Sequence, residues 1–409
     1  MRVLYFHQHF CTPKGSSGIR SYQMARALIA HGHHVTMVCG SYSRSGQIVE
    51  GEAVKGIRRG MVDGIEVIEL VLPYSNYDSF LKRTGTFLRF ARKSCRLALK
   101  EDYDLLFATS TPLTAGLPGI AMKVLRRKKP FVFEVRDLWP ELPKAMGVIR
   151  NPVVLWAMGA LEKLTYRAAD GCIGLSPGIV EGIRKRSRPD LPVTMVPNGS
   201  DLDLFRPSRD APPPAFNERH PLRAVFTGAH GMANGLHAVL DAAKVLKEKG
   251  HREIVLEFIG DGKLKPELEQ RAREEDLSNC QFTGLIPKEA LAERLATADV
   301  GLMILANVPA FYFGTSPNKF FDYIAAGLPV LNNYPGWLAE MITAHQCGIA
   351  VPPDNPEAFA EALIALTKSP KRLWEMGTAA RTLAETQFNR ETLASDFRHF
   401  LEKQAALDE

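Results

Sequence analysis

The sequence predicts an α/β fold made of two consecutive doubly wound domains. Its 409 residues exceed what one hydrophobic core usually serves, so two domains of about 200 residues each are expected. Strand-like apolar runs alternate with helical patterns, which is typical of parallel sheets covered by helices. A proline-rich stretch at residues 207–214 indicates a linker. We therefore expect a first domain over 1–206, a second over 207–387, and a last helix, about 388–409, that packs back on the first.

The predicted elements follow this alternation. In the first domain they are strands over 3–6, 35–39, 65–72, 105–109 and 131–135, and helices over 19–31, 80–100 and 113–125. In the second they are strands over 224–227, 254–259, 280–283 and 300–305, and helices over 235–247, 266–275 and 288–297.

The start of the chain combines a first strand with a candidate binding loop. Residues 3–6 are apolar too briefly for a signal peptide. The loop over 9–20 follows the strand, at the edge where such sheets bind phosphates or sugars. Its Ser17 and Gly18 allow close backbone approach, but residues 15–18 lack the G-x-G-x-x-G fingerprint. NAD is therefore disfavoured.

Residues 316–331 contain the most informative stretch of the chain. A polar opening leads into a helix with apolar residues at helical spacing, Gly327 ends it, and a buried strand begins. Lys319 lies in the first turn, where free backbone N–H groups add positive potential and favour phosphate. Asp322 lies one turn further and can accept hydrogen bonds from ribose hydroxyls. The alternative is an ordinary helix with a surface lysine and aspartate.

The charge is unevenly distributed. Residues 1–200 hold 29 Lys and Arg against 16 Asp and Glu, whereas residues 201–409 hold 22 against 29. Such a split often marks a surface that meets a polyanion, either nucleic acid or an anionic membrane. No RNA- or DNA-binding signature accompanies it, so nucleic acid ranks below a membrane.

The positive charge concentrates in the helix over 80–100, where aromatic and basic residues suit a membrane interface. The membrane-contacting residues that we expect are Lys82, Arg83, Phe87, Arg89, Phe90, Arg92 and Lys93. The alternative is a solvated helix that covers the sheet. Residues 126–129 form a second basic cluster, which can equally be a positive loop.

The expected location is the bacterial cytoplasm, at the inner face of the cell membrane. No apolar run approaches the roughly 20 residues of a membrane span. The six cysteines lie far apart without a C-x-x-C pair, which argues against a zinc site or a disulfide framework.

Ordered motifs along the chain resemble those of family 4 glycosyltransferases. They are Val196-Pro197-Asn198-Gly199-Ser200-Asp201, Phe226-Thr227-Gly228, Ile259-Gly260-Asp261-Gly262, Phe282-Thr283-Gly284-Leu285-Ile286-Pro287 and Ala298-Asp299-Val300. In the first domain the resemblance rests on Ser17-Gly18 and residues 31–38. Residues 133–141 and 316–319 are similar to the subgroup that builds bacterial surface polysaccharides, including transferases of sugars such as N-acetylfucosamine.

The resemblance implies a GT-B fold, with two facing Rossmann-like domains and a cleft between them. The second domain would hold the donor nucleotide, through Gly228, Gly260, Asp261, Gly262, Ile286, Thr315, Ser316, Asn318, Lys319 and Asp322. Asp322 stands where the family has a ribose-binding glutamate, while Gly314 replaces the glutamate that touches the donor sugar. Ala229 and Asn234 replace the usual Arg and Lys. Lys319 is then the expected diphosphate cation, with help from Arg20.

Arg136 and Asp137 follow the strand over 131–135 and are the other catalytic candidates. Arg136 stands where many relatives have a histidine; it cannot act as a base, but it can orient a substrate and offset negative charge. Asp137 can accept a donor-sugar hydroxyl or polarise the acceptor. The alternative for this pair is a buried ion pair at a strand end.

The implied activity is transfer of an N-acetylated amino or deoxyamino hexose from a UDP-sugar to a lipid-linked or glycan acceptor. The family retains anomeric configuration and uses no metal, and the chain has no D-x-D motif near a strand end; residues 201–203 suit helix capping better. The alternatives are a catalytically inactive membrane-bound scaffold of the same fold and a nucleotide-sugar epimerase.

Overall fold

The computed structural model describes residues 1–15, 17–43, 45–75, 77–125 and 129–406. Within these residues the chain divides into two compact units. Unit 1 comprises Met1–Pro197, Gly314–Ser316 and the C-terminal segment from Glu391; unit 2 comprises Asn198–Phe313 and Pro317–Arg390. The boundary therefore falls after Pro197, ahead of the predicted boundary at residue 206.

Unit 1 contains an eight-stranded sheet in the order β3-β4-β2-β1-β5-β6-β7-β8. Its strands are β1 (Arg2–Phe6), β2 (His34–Tyr42), β3 (Ile57–Val62), β4 (Ile65–Tyr74), β5 (Leu105–Thr109), β6 (Phe131–Val135), β7 (Gly171–Gly174) and β8 (Val193–Met195). All neighbours are parallel except β3 and β4. Strands β5 and β6 are buried at every residue, as expected for parallel strands covered on both faces.

The helices of unit 1 cover this sheet. They are α1 (Arg20–Ala30), α2 (Phe80–Lys100), α3 (Leu117–Leu125), α4 (Glu141–Ala145), α5 (Pro152–Ala168) and α6 (Pro177–Arg186). Helix α2 packs beside α3, and α3 packs beside α5. Helix α5 begins at Asn151, whose side chain accepts from the N–H groups of Val153 and Val154, with Pro152 in the first turn.

Unit 2 contains a six-stranded parallel sheet in the order β11-β10-β9-β12-β13-β14. Its strands are β9 (Leu222–Thr227), β10 (Ile254–Ile259), β11 (Cys280–Thr283), β12 (Val300–Met303), β13 (Val330–Asn332) and β14 (Gly348–Ala350). Its helices are α7 (His237–Glu248), α8 (Lys265–Glu274), α9 (Lys288–Ala296), α10 (Pro309–Gly314), α11 (Asn318–Ala325), α12 (Trp337–Ala344), α13 (Pro356–Thr367) and α14 (Pro370–Gln387).

The proline-rich stretch is part of unit 2, so its interpretation as a linker is wrong. Ser208 donates a hydrogen bond to the carbonyl of Ala296, and Arg209 pairs with the buried Asp299 at 2.5 Å. These side-chain bonds tie the start of the stretch, Ser208 and Arg209, to unit 2.

The last helix, α15 (Arg390–Ala406), belongs to unit 1 from Glu391 onward. Its Phe397 meets Phe107 of β5 edge to face, with ring centroids 5.0 Å apart, and Glu402 pairs with His33 at 2.9 Å. The helix therefore closes the unit in which the chain begins.

The order of strands in each unit marks its binding edge. In unit 2 the chain runs outward from β9 to β11 and then returns to place β12 on the other side of β9. In unit 1 the same reversal places β5 beside β1. Ligands of such sheets bind outside the carboxyl ends of the strands at this reversal. Among the described residues, no helix combines the length and apolar content needed to cross a bilayer.

Candidate active site

The carboxyl edge of the unit 2 sheet is built from closely packed glycine loops. A Cβ atom on Gly260 would collide with the carbonyl of Gly228, and one on Gly262 would collide with the carbonyl of His230. Gly228 and Gly260 also have φ values of 128° and 144°, which side chains disfavour. The loops after β9 and β10 therefore need glycine to lie this close together, and they leave backbone open to a ligand.

Lys319 lies beside these loops. Its Cε would be 3.4 Å from a Cβ on Gly228, and its Nζ lies 3.9 Å from the ring centroid of Phe226. Burial lowers the pKa of Lys319 to about 7. Among the described residues, no carboxylate lies within ion-pair distance of its amine. An unneutralised cation beside a glycine loop is the arrangement that a diphosphate requires.

Asn234 holds the lysine in place. Its Oδ1 accepts a 2.8 Å hydrogen bond from Lys319, while its amide nitrogen donates a 2.7 Å hydrogen bond to the carbonyl of Ala229. The two residues that replace the basic pair of the family thus form a neutral clamp. The positive charge near Gly228 comes from α11 instead.

Asp322 is engaged by a partner that the sequence did not indicate. Its Oδ2 accepts a 2.7 Å hydrogen bond from Lys288, and only 6% of its side chain is exposed. The Lys288 amine also lies 4.9 Å from the ring centroid of Phe205. Asp322 and Lys319 are three residues apart, so they share one face of α11. The helix therefore presents a cation and a carboxylate side by side.

Tyr323 fixes this helix to the sheet. Its hydroxyl oxygen accepts a 2.8 Å hydrogen bond from the N–H of Thr227, and it lies 3.1 Å from the Thr227 hydroxyl. The ring is fully buried over Gly301, where a Cβ atom would collide with it. The sequence did not indicate Tyr323, because a tyrosine among apolar neighbours is usually part of the hydrophobic core.

The other predicted donor contacts occupy different places. Asp261 and Ile286 lie half-buried in the loops after β10 and β11, and Asn318 is exposed at the start of α11. Thr315 and Ser316 group with unit 1 rather than with the unit that holds Lys319. Of the predicted set, the structure brings together Gly228, the loop over 260–262, and Lys319.

Arg20 is placed differently from its expected role. Its guanidinium donates to Glu134 at 2.8 and 3.0 Å and to the carbonyls of Val196 and Pro197 at 2.8 and 2.6 Å. Its side chain is only 3% exposed. These bonds use four of its five N–H donors. Arg20 is therefore a structural cation inside unit 1, and the prediction that it assists the diphosphate is corrected.

Glu134, which the sequence did not single out, is the centre of this polar network. Besides Arg20, it accepts from Thr109 at 2.7 Å and from Arg136 at 3.3 Å. Burial alone would raise the pKa of Glu134, but the charges of Arg20 and Arg136 outweigh it and lower the pKa below its usual value. The carboxylate stays ionised in the interior of the unit.

Arg136 joins the network from its edge. It donates to the hydroxyls of Thr109 and Ser21 at 2.8 Å each. Asp137 instead accepts a 3.1 Å hydrogen bond from Thr111, and burial raises its pKa despite that bond and the charge of Arg136. No ion pair joins Arg136 to Asp137 among the described residues. The expected alternative, a buried pair of these two residues, is thus replaced by a pair with Glu134.

Two histidines after β1 were not predicted as site residues. Burial and the nearby Arg136 lower the pKa of His7, and they lower that of His9 to about 3. The His9 ring lies 4.6 Å from Tyr74 and 5.0 Å from Tyr42, centroid to centroid. His7 Nδ1 and His9 Nε2 are buried with no hydrogen-bond partner among the described residues. These two nitrogens of neutral imidazoles suit hydrogen bonds with a polar ligand or water. Ser17 and Gly18 lie half-buried in the same β1–α1 loop.

Helix α2 divides the predicted membrane residues between two sides. Phe90 is fully buried in the core of unit 1, so its predicted membrane contact is wrong. Phe87 and Arg83 lie against the Tyr74 ring, and Lys93 donates to the carbonyl of Gly56. The exposed residues of the predicted set are Lys82, Arg89 and Arg92, and Lys82 pairs with Asp78 at 2.6 Å. The second basic cluster falls largely on residues 126–128, which lie outside the described residues.

Two family models match the chain, one in each half. Residues 15–199 match the glycosyl transferase 4-like domain, and residues 221–369 match the glycosyl transferases group 1 domain. Each half of the chain is thus similar to a glycosyltransferase domain. Arg136 and Asp137 lie in the range that matches the 4-like model, and Lys319 and Asp322 lie in the range that matches the group 1 model.

Curated relatives of the two domains include bacterial polysaccharide enzymes. The chain is 26% identical to the amylovoran biosynthesis glycosyltransferase of Erwinia amylovora over 186 residues, 45% of this chain and 46% of that protein. It is 25% identical to a probable glycosyltransferase of Pseudomonas aeruginosa over 242 residues, 57% of this chain and 58% of that protein. The matches thus span about half of the length of these relatives. The N-acetylfucosamine subgroup is not among what they support.

Solved structures match nearly the whole chain. Sucrose-phosphate synthase from Thermosynechococcus elongatus aligns with a TM-score of 0.76 at 19% identity, over 99% of both chains. HepE from Anabaena, in complex with UDP, aligns with a TM-score of 0.67 at 15% identity, over 98% of this chain and 100% of that one. At such identities the likeness establishes the fold alone. That fold is GT-B, and the predicted fold class is confirmed.

Proposed function

We propose that the chain is a retaining hexosyltransferase of bacterial surface polysaccharide synthesis, including O-antigen. In this proposal it moves a sugar of the N-acetylated amino or deoxyamino type from a UDP-sugar to a lipid-linked or glycan acceptor, without a metal. It works in the cytoplasm, bound peripherally to the inner face of the bacterial cell membrane. The polysaccharide relatives and the UDP complex of a neighbour with the same fold support this choice of substrates.

The placement of Lys319 is the observation that carries the proposal. Its amine lies at the strand reversal of unit 2, next to Gly228, and is neutralised by no carboxylate of the described residues. A half-buried cation of this kind loses part of its hydration, which is costly unless an anion meets it. A nucleoside diphosphate supplies that anion, and the neighbouring Asp322 can accept from its ribose hydroxyls.

The chemistry requires stabilisation of a leaving group. When the bond between the anomeric carbon and the diphosphate oxygen breaks, negative charge grows on the diphosphate, and Lys319 stabilises it there. The acceptor hydroxyl forms the new bond from the face that the diphosphate leaves, so configuration is retained. Its proton passes to the departing phosphate oxygen. The products are UDP and the glycosylated acceptor, and no protein nucleophile is needed.

The acceptor is assigned to unit 1 in this proposal. The carboxyl edge of its sheet carries Asp137, Arg136 and the two neutral histidines, His7 and His9. The raised pKa of Asp137 makes its carboxylate a better hydrogen-bond acceptor for an acceptor hydroxyl. The exposed cations of α2 support attraction to an anionic membrane, where a lipid-linked acceptor resides.

The direct test is sugar transfer from a panel of UDP-sugars to an acceptor extracted from bacterial membranes. We expect UDP release that depends on both the extract and one UDP-sugar of the panel. UDP binding without transfer to any acceptor would instead favour the catalytically inactive scaffold. A C2-inverted sugar formed without acceptor would favour the epimerase.

A further inference from the structure

The N-terminal end of α5 exposes large apolar side chains. Trp156 is 74% exposed and Val153 is 70% exposed, and Val148 and Val154 beside them are exposed as well. We call these four residues the Trp156 patch. Residues 142–161 contain no acidic residue, while the exposed cations Lys144 and Arg150 flank the patch. Apolar side chains with a tryptophan and a cationic border suit the interface of an anionic bilayer.

The patch continues a basic surface formed by three helices. Helices α2, α3 and α5 lie side by side on the sheet. Helices α2 and α3 contain no acidic residue, and the one acid of α5, Glu162, is buried and bound to Tyr166 and Arg186. Helix α2 adds Leu81 and Leu88, both exposed, together with the exposed Arg89, Arg92 and Arg96.

The direction of the helices places the patch at the binding edge of unit 1. Helices α2 and α5 each follow a strand of the parallel sheet, β4 and β6, and so begin at its carboxyl edge. Leu81 and the Trp156 patch therefore lie at the edge that carries Arg136 and Asp137. A bilayer that contacts both helix starts would bring its surface to the proposed acceptor residues.

We propose that unit 1 docks on an anionic lipid bilayer through the Trp156 patch and the exposed side of α2. Trp156 and Val153 enter the interface, and the arginines of α2 meet the lipid headgroups. This inference rests on the proposed function only for the identity of the acceptor; the surface itself requires no catalysis. The sequence prediction located the membrane contact in α2 alone and did not include α5.

The test is flotation of the full chain with phosphatidylcholine vesicles, with and without phosphatidylglycerol. We expect binding that requires phosphatidylglycerol and that weakens about tenfold or more in Trp156→Ser, because an apolar side chain no longer leaves water. The matched control is Met61→Ser on edge strand β3, since Met61 is 66% exposed but lies far from α5 in the strand order. It should bind as the parent does.

A second variant separates insertion from a change of fold. Trp156→Phe keeps the apolar surface and should bind vesicles, but it should lose most of the tryptophan quenching that brominated lipid causes in the parent. Parental flotation of Trp156→Ser, or no quenching in the parent, would overturn the proposal. A solution mass of Trp156→Ser that differs from that of the parent in the absence of lipid would also overturn it, because the patch would then be a site of self-association. UDP binding of Trp156→Ser should equal that of the parent, so failure of the membrane surface and failure of the donor site are distinguishable.

Discussion

The amine of Lys319 donates a 2.8 Å hydrogen bond to the side-chain oxygen of Asn234. The two residues are 85 positions apart, and their contact joins α11 to the loop after β9. Because Asn234 is neutral, it orients the amine without neutralising it. The charge of Lys319 is therefore available to a ligand. Because its pKa is about 7, the charged fraction of Lys319 falls as the pH rises through neutrality.

UDP affinity should fall as the pH rises above about 7.5. In the free protein the pKa of Lys319 is about 7, and a bound diphosphate raises it because the opposite charge favours the protonated amine. Binding then takes up a proton, so affinity drops by up to about tenfold per pH unit between the free and bound pKa values. Calorimetry between about pH 7.5 and 9.5, where the diphosphate stays ionised, measures this slope.

The matched control for this slope is Lys319→Arg. An arginine stays charged throughout this range, so the slope should flatten even if the affinity itself changes. An equal slope in the parent and in this variant would assign the pH dependence to another group.

Replacing Asn234 by Asp should keep Lys319 charged but make that charge unavailable to UDP. The new carboxylate would raise the pKa of Lys319 well above 7, because it stabilises the charged amine. It would also neutralise the site, and we expect UDP affinity to fall by about tenfold or more. Asn234→Ala should lower the pKa of Lys319, so that UDP affinity begins to fall at a lower pH. Calorimetry of both variants over the same pH range is the measurement, and a tighter UDP complex in Asn234→Asp would contradict the assignment.

Substitutions of Asp322 and Lys288 should weaken binding of the nucleoside part of UDP and leave binding of the diphosphate unchanged. Asp322→Ala removes the acceptor for the ribose hydroxyls and should weaken UDP binding by about tenfold, since hydrogen bonds to a charged group contribute about 1.5–3 kcal/mol. Lys288→Met should weaken it less, because it only releases the carboxylate from its 2.7 Å partner. Pyrophosphate binding should not change in either. Lys371→Met, at an exposed pair with Glu375, is the control. Equal losses for UDP and pyrophosphate would refute the ribose assignment.

Arg20 should matter for stability more than for UDP binding. Arg20→Met leaves Glu134 buried with fewer partners, and breaking a buried pair costs about 3–5 kcal/mol of the free energy of unfolding. Arg2→Met, which breaks exposed pairs with Asp102 and Asp104, should lower the free energy of unfolding far less, because solvent screens exposed pairs. Urea unfolding of both variants gives the comparison. A stable Arg20→Met variant with weakened UDP binding would restore the role that the sequence first indicated.

The sequence predicted the elements that depend on local pattern. The strand expected over 3–6 is β1, Arg2–Phe6, and the break expected at Gly327 is present with φ of 69°. Lys319 and Asp322 were predicted from their place in the first turns of a helix, which is also local. Alternation of apolar and helical patterns was enough to predict the α/β class.

What the sequence could not indicate depends on distant partners. Arg20 follows Gly18 like a phosphate-binding residue, and only the fold brings it to Glu134, 114 residues away. Lys288 and Tyr323 likewise gain their roles from contacts with Asp322 and Thr227. Phe90 illustrates a different limit: an amphipathic pattern does not reveal whether the apolar side meets a membrane or a sheet.

The central claim, that Lys319 holds the diphosphate of a UDP-sugar, is tested most directly by calorimetric titration of UDP into the parent chain and into Lys319→Ala at pH 7. We predict that the parent binds UDP and that the variant, folded as the parent is, binds it at least about tenfold more weakly, because a charge-assisted hydrogen bond is lost. No detectable UDP binding by the parent, or equal binding by the variant, would contradict the account.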